Sequence, residues 1–291
     1  MDRSTLINAL LVCLLNVTFM IAGIFLNTVV IISLRRSSRL RKKLCYFMIL
    51  PLSCFDLAVV AINHPIIVCR TILLSMDAYA SEESELMTAW KAIVGNLTGF
   101  SISALLILSV ERFLALRYPF FHQTAVTKRR LLLFLGFFVL VTVSLSSSLF
   151  FDGSIFVKIV IAFVLFFLFL FIYLNYNIFI VAKSKGKGSS TYTPNDHQET
   201  KGRELNLKQI STCSLVVGCF LICFSPVILF SVLRLTSDVL SYNRPSLVFR
   251  IWSSTFLTMN STFNCLIFFW RNSVLRHEGM KTVKCLWPAR P

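Results

Sequence analysis

Charged side chains are scarce in this chain, at 14% of residues, and only 13 of its 291 positions are Asp or Glu. A soluble fold of this length needs a polar surface, and this composition cannot supply one. Histidine is rarer still, at four residues, and the four form no metal-ligating pattern. Ser, His and Asp never approach the spacing of a catalytic triad, so no enzyme is expected. No internal repeat is apparent, and Asp56 is the one acid deep within an apolar run. A small-molecule transporter or channel calls for inverted repeats, broken helices or charged pathways at mid-membrane, and is therefore the weaker alternative.

What is abundant is apolar. Hydrophobic residues make up 56% of the chain, mean hydropathy is +0.75, and 28 phenylalanines cluster in runs such as Phe166-Phe167-Leu168-Phe169. A helix that crosses a hydrocarbon core of about 30 Å needs about 20 apolar residues at 1.5 Å per residue. Seven stretches meet that length: Leu6 to Leu34, Leu44 to Leu74, Leu86 to Leu116, Leu131 to Phe151, Ile155 to Ala182, Leu207 to Leu235 and Leu247 to Trp270. The expected fold is an all-α membrane protein. A seven-transmembrane bundle occupies residues 1–270, and a short amphipathic eighth helix with a tail occupies 271–291. The first stretch is uncharged and has no small-residue cleavage site, so it reads as a signal anchor.

The formal charge of +16 invites a nucleic-acid partner, but the placement of the cations speaks against one. They fall mainly in short segments between apolar runs, as orientation signals do. With Arg35 to Lys43 inside, 22 of the 29 Lys and Arg residues lie on the cytoplasmic side, and Asp77, Glu82, Glu83 and Glu85 lie outside. The positive-inside rule then puts the N-terminus outside and the C-terminus in the cytoplasm of a multi-pass plasma-membrane protein. The longest connection, from Ser184 to about Glu204, is rich in Lys, Gly, Ser and Thr and reads as a cytoplasmic linker. Cys13, Cys45, Cys54, Cys213, Cys219, Cys223 and Cys265 sit in or beside apolar segments, as small packing residues do. Cys69 alone is near an outer face, where it has no evident disulfide partner.

A polar group inside a spanning helix is costly unless it meets a partner or water. Asn27, Asp56, Ser101, Asn260, Ser261 and Asn264 are such groups. One carboxylate among amides and hydroxyls suits a small hydrated cation such as sodium; an ion-free hydrogen-bond network between helices satisfies the same residues. At the end of the third stretch stands Glu111-Arg112-Phe113, where the guanidinium has a carboxylate beside it. A snorkelling Arg near headgroups is the simpler account of that triplet alone.

Ordered motifs add to this. They are Gly23-Ile-Phe-Leu-Asn27, then Leu52-Ser-Cys-Phe-Asp56-Leu57, then Glu111-Arg112-Phe113 with Pro119 seven residues past Arg112. Tyr176 with Ala182-Lys183 follows, then Phe220-x-x-Cys223-Phe224-Ser225-Pro226, Asn264-Cys265-Leu266-Ile267-Phe268 and Trp270-Arg271-Asn272. In this order the chain resembles the rhodopsin-like (class A) G-protein-coupled receptors over nearly its whole length. Its pattern is closest to the melanocortin, cannabinoid, adenosine and lysophospholipid branch. The connection after the fourth stretch is nearly absent, and Met87 and Leu168 stand near the places of a usual cysteine and a usual proline.

The resemblance implies a cell-surface receptor that signals to heterotrimeric G proteins. Glu111 would restrain Arg112 in the inactive state, and Arg112 would later turn toward Tyr176 and the G protein. Pro226 would be the pivot of helix six, with Phe224 beneath the ligand. Asp56, Ser101, Asn260, Ser261 and Asn264 match the family's sodium pocket, which makes sodium an expected allosteric modulator, held at Asp56 and Ser101, with no other cofactor. The chain departs from the pattern where Cys265 and Phe268 replace a proline and a tyrosine, and where Asn206 stands near the place of an acid. The first departure argues for weak activation and the second for high basal activity. A receptor-shaped protein that does not signal is the other alternative.

Ligand signatures are mostly negative. Thr258 stands near the level of a retinal lysine, Val94 at an amine receptor's aspartate, and Lys91 where melanocortin binding needs a carboxylate. Arg70, Lys91, Arg234 and Arg250 lie at outer helix ends, where a small anionic or lipid-like molecule would be drawn; helix anchoring at the headgroups uses cations in the same way. Val94, Thr98, Phe224, Ile228 and Ser254 would line the deeper pocket. Beyond the bundle, Val274, Leu275 and Met280 offer an apolar face to the inner leaflet, and Cys285 is a candidate lipidation site.

Overall fold

A computed structural model describes residues 3–76, 85–150, 153–187, 215–216, 218–234 and 244–286. Among them every regular element is helical. The helices are α1 (Arg3–Arg36), α2 (Ser38–Arg41), α3 (Leu44–Ser75), α4 (Glu85–Arg117), α5 (Pro119–Ala125), α6 (Lys128–Ser146), α7 (Gly153–Lys187), α8 (Gly218–Arg234), α9 (Arg244–Arg271) and α10 (Ser273–Leu286). Each of the seven expected stretches contains helix among its described residues, and residues 207–214, 217 and 235 of the sixth lie outside them. The fold is an all-α membrane bundle.

Five helices, α1, α3, α4, α6 and α7, are long and apolar enough to cross a membrane by length and composition. The described part of α8 is apolar but shorter. At 28 residues α9 is long enough, yet it falls short on composition because Ser253, Thr255, Thr258, Asn260, Ser261, Thr262 and Asn264 crowd one helix. All seven are buried, so α9 spends its polarity on its neighbours. The fourth stretch also ends earlier than its composition suggests. After Ser146 it tightens into a 3-10 turn, Ser147–Phe150. In contrast α7 runs on to Lys187, so the expected linker begins later; the rest of it, with Asn206 and Cys213, lies outside the described residues.

The outward faces of α1, α6 and α7 carry exposed Leu14, Ile21, Leu140, Phe166 and Phe169, as lipid contact requires. Inside, Phe171 of α7 meets Phe220 of α8 with ring centroids 5.4 Å apart, Phe220 stacks on Phe224 at 4.0 Å, and Phe167 is buried in the same core. Two glycines set close helix approach. A Cβ on Gly23 would stand 2.5 Å from Thr262 Oγ1, and one on Gly99 would stand 2.4 Å from Thr142 Cγ2. Pro226 has no N–H for the Ile222 carbonyl one turn back, and the Ser225 hydroxyl donates to that oxygen instead at 3.0 Å.

The break between α9 and α10 falls at Asn272. Its Oδ1 accepts from the Leu275 amide at 3.1 Å, capping α10, and from the Tyr46 hydroxyl at 3.0 Å. The helix then packs back on α1 through Leu275, fully buried, and a 3.0 Å bond from Ser33 to Thr282. Met280, expected on the apolar face with Val274 and Leu275, is half exposed, because Gly279 and Thr282 occupy the side against the bundle. Cys285 is exposed near the end of α10.

Candidate functional site

At the end of the bundle where α1 begins, a cavity of about 330 Å³ opens among α4, α7, α8 and α9, with contributions from α3 and α6. Lys91, Arg234 and Arg250 line it at that end. Val94, Thr98, Phe224, Ile228 and Ser254 line it too, so eight of the nine expected pocket residues share one space. Arg70 is placed elsewhere. It is buried, with its guanidinium 4.6 Å from the centre of the Trp90 ring, and does not itself line the cavity, whereas Trp90 does. Trp90 is in turn held by its indole N–H, which donates to Asn63 Oδ1 at 3.2 Å, and the Asn63 amide donates to the Thr258 hydroxyl.

Below the cavity lies the carboxylate of Asp56, fully buried. Ser101 donates to its Oδ1 at 2.6 Å and Asn264 to its Oδ2 at 3.1 Å, with Ser261 a further hydrogen-bond partner. Two buried oxygens on α9, Asn260 Oδ1 and Asn264 Oδ1, have no hydrogen-bond partner among the described residues. Asn27 belongs to an adjoining set. Its amide donates to the Gly23 carbonyl, its Oδ1 accepts from Cys265 Sγ at 2.8 Å, and Ser53 Oγ is 3.8 Å from the same sulfur. Cys265 thus ties α1, α3 and α9 together where a proline could not.

At the opposite end, Arg112 Nε lies 2.8 Å from Glu111 Oε2. Glu111 is sealed at 1% exposure, and its other oxygen, Oε1, contacts His122 Nε2 at 2.9 Å. His122 belongs to α5, which Pro119 opens at its first position. Phe113 meets Tyr118 edge to face, and Phe268 is buried. Tyr176 is exposed, on the face of α7 opposite Leu174 and Ile178, so this arrangement does not bring it to Arg112.

The arrangement is a cation-rimmed apolar chamber at one end, an acid–arginine pair at the other and a buried polar network between. Residues 26–156 match the family model for the 7 transmembrane receptor (rhodopsin family). That stretch of the chain is similar to the rhodopsin-family receptors. Mouse (Mus musculus) sphingosine 1-phosphate receptor 2 is 32% identical over 91 residues, which is 31% of this chain and 25% of that protein. The chain therefore aligns with about a quarter of the length of this curated relative. Its name places it in the lysophospholipid group of the branch expected from the motifs.

Within and beside the matched region lie polar residues that motif reading passed over. His64 Nδ1 donates to Asn16 Oδ1 at 2.7 Å, since the Asn16 amide is already committed to the Val12 carbonyl and the Thr255 hydroxyl. Asn16, Asn63 and His64 stand in apolar runs, so the rule that selected Asn27 and Asp56 selects them equally. Nothing in the local sequence marks His122 as a partner of Glu111, because that contact depends on how α5 folds under α4.

Proposed function

We propose that this chain is a G-protein-coupled receptor of the plasma membrane, with its N-terminus outside and C-terminus in the cytoplasm, that passes an extracellular signal to heterotrimeric G proteins. The observation that carries the reading is the stacking of three features in one bundle: the cavity rimmed by Lys91, Arg234 and Arg250, the Asp56 network and the Glu111–Arg112 pair. Ligand binding shifts the bundle between two packings, and α8 swings about Pro226 to open the cytoplasmic end. Arg112 then leaves Glu111 for the G protein. The cation bias of the short connections supports the orientation.

The ligand is a small anionic or lipid-like molecule. Three cations favour a phosphate or carboxylate, and the mostly apolar wall below them favours hydrocarbon. The match to a receptor named for sphingosine 1-phosphate points the same way. Membrane lipids are the other partners; no nucleic acid is involved. The unpartnered oxygens of Asn260 and Asn264, with Asp56 and Ser101, fit a sodium ion, which would supply a positive charge that holds the network in one packing. The test is a screen of anionic and cationic amphiphiles on wild type and on Lys91→Ala with Arg250→Ala. An anionic activator that loses potency on the double variant supports the proposal. A cationic activator, or an anionic one equally potent on both proteins, overturns the ligand assignment.

A further inference from the structure

Glycine inside a helix costs stability relative to alanine, so a helical glycine calls for a reason. For Gly23, Gly99 and Gly279 the reason is contact. A Cβ would stand 2.5, 2.4 and 2.3 Å from Thr262, Thr142 and Phe269 respectively. Gly95 is different. It lies one turn from Lys91 and one turn from Gly99 on the same stripe of α4, and among the described residues the one atom within 4 Å of an added Cβ is Phe156 Cζ at 3.9 Å. It also forms part of the cavity wall. The missing side chain therefore leaves space continuous with the cavity, directly under a cation of its rim.

That space has definite bounds. Phe156 of α7 stands opposite Gly95, Leu145 and Ser146 of α6 and Val160 of α7 also line the cavity, and the Asn96 amide next to Gly95 donates to Ser146 Oγ at 2.9 Å. The tight approach of Gly99 to Thr142 closes it one turn deeper along α4. The main shaft instead runs down α8 from Arg234 to Phe224, ten residues or about 15 Å of helix. An amphiphile with its head at Lys91 thus has a side chamber beside it, between α4, α6 and α7.

We propose that Gly95 is a specificity-determining residue: the hydrocarbon tail of an anionic single-chain amphiphile lies in the chamber that Gly95 leaves open, and the bulk at position 95 sets the tail length accepted. The inference rests on the anionic-amphiphile reading above and adds the path of the tail. Alanine at this position adds one methyl group at ordinary contact distance and leaves most of the chamber, whereas leucine fills it.

The test uses the full chain in nanodiscs of neutral lipid, with a short-chain and a long-chain alkyl phosphate as probes and thermal stabilisation as the readout. Wild type is expected to bind the long-chain probe more tightly. Gly95→Leu is expected to weaken the long-chain probe about tenfold or more, the loss of about two buried methylenes, while leaving the short-chain probe within about twofold. Gly95→Ala controls for folding and keeps most of the long-chain preference. Equal losses for both probes, or no loss for either, in a folded Gly95→Leu protein overturn the role of Gly95. Failure of both probes to bind wild type overturns the anionic-amphiphile reading and this inference with it. Binding that responds to Lys91→Ala but not to Gly95→Leu leaves that reading standing and removes only the tail path.

Discussion

Ser101 donates its hydroxyl to Asp56 Oδ1 across 2.6 Å, at a point where both side chains are sealed from solvent. The bond joins α4 to α3 at the deep end of the cavity, next to Ile102 of its lining, and Asn264 brings α9 to the same carboxylate. Removing the hydroxyl leaves a buried carboxylate oxygen without this donor, which costs about 1–3 kcal/mol. Ser101→Ala should lower thermal stability in nanodiscs by that order. Asp56→Asn should abolish any dependence of ligand affinity on sodium. Sodium dependence that survives Asp56→Asn would place the ion elsewhere.

Glu111 holds Arg112 Nε at 2.8 Å and is buried, so its carboxylate restrains the guanidinium. Glu111→Gln keeps the shape and removes the charge. Signalling without ligand should rise several-fold over wild type at equal surface expression. A basal level unchanged by this substitution would show that Glu111 does not hold the resting state.

Two helical glycines should respond oppositely to the same substitution. Gly99→Ala drives a methyl group into Thr142, 2.4 Å away, and should destabilise the bundle by about 1–3 kcal/mol. Gly136→Ala meets nothing within 4 Å and should be neutral or stabilising by up to about 1 kcal/mol. Thermal unfolding of the two variants against wild type reads both signs. A reversed order would contradict the α4–α6 packing.

Cys285 is exposed on α10, in a helix held to the bundle by Leu275 and by the Ser33–Thr282 bond. A thioester-linked acyl chain there would enter the adjacent leaflet. Acyl-exchange labelling of the wild type should disappear in Cys285→Ser. Labelling that persists would put the lipid on another cysteine.

The helices were legible in the sequence because lipid imposes a length and a composition on each span, and α1, α3, α4, α6 and α7 meet both. The polar residues of α9 keep it below the composition of those five, although its length and its ordered residues, Asn264 to Phe268, identify its place in the sequence. The cavity was legible nearly residue by residue, since helical periodicity fixes which of Lys91, Val94 and Thr98 share a face. Arg70 was misplaced for a physical reason. Position along α3 locates it at the correct level, but the large flat face of Trp90 takes its guanidinium out of the cavity. Tyr176 is exposed in this arrangement, and its expected approach to Arg112 belongs to the active packing. Contacts such as His122 with Glu111, and the space at Gly95, depend on tertiary approach, which periodicity does not carry.

Whether this bundle transmits a signal is read most directly by nucleotide exchange on heterotrimeric G proteins, in membranes carrying wild type or Arg112→Ala at matched surface expression. Wild type should accelerate exchange without added ligand and accelerate it further with a long-chain alkyl phosphate. Arg112→Ala should remain at the background of membranes without the receptor under both conditions. Equal acceleration by the two proteins, or background exchange by wild type throughout, would contradict the account.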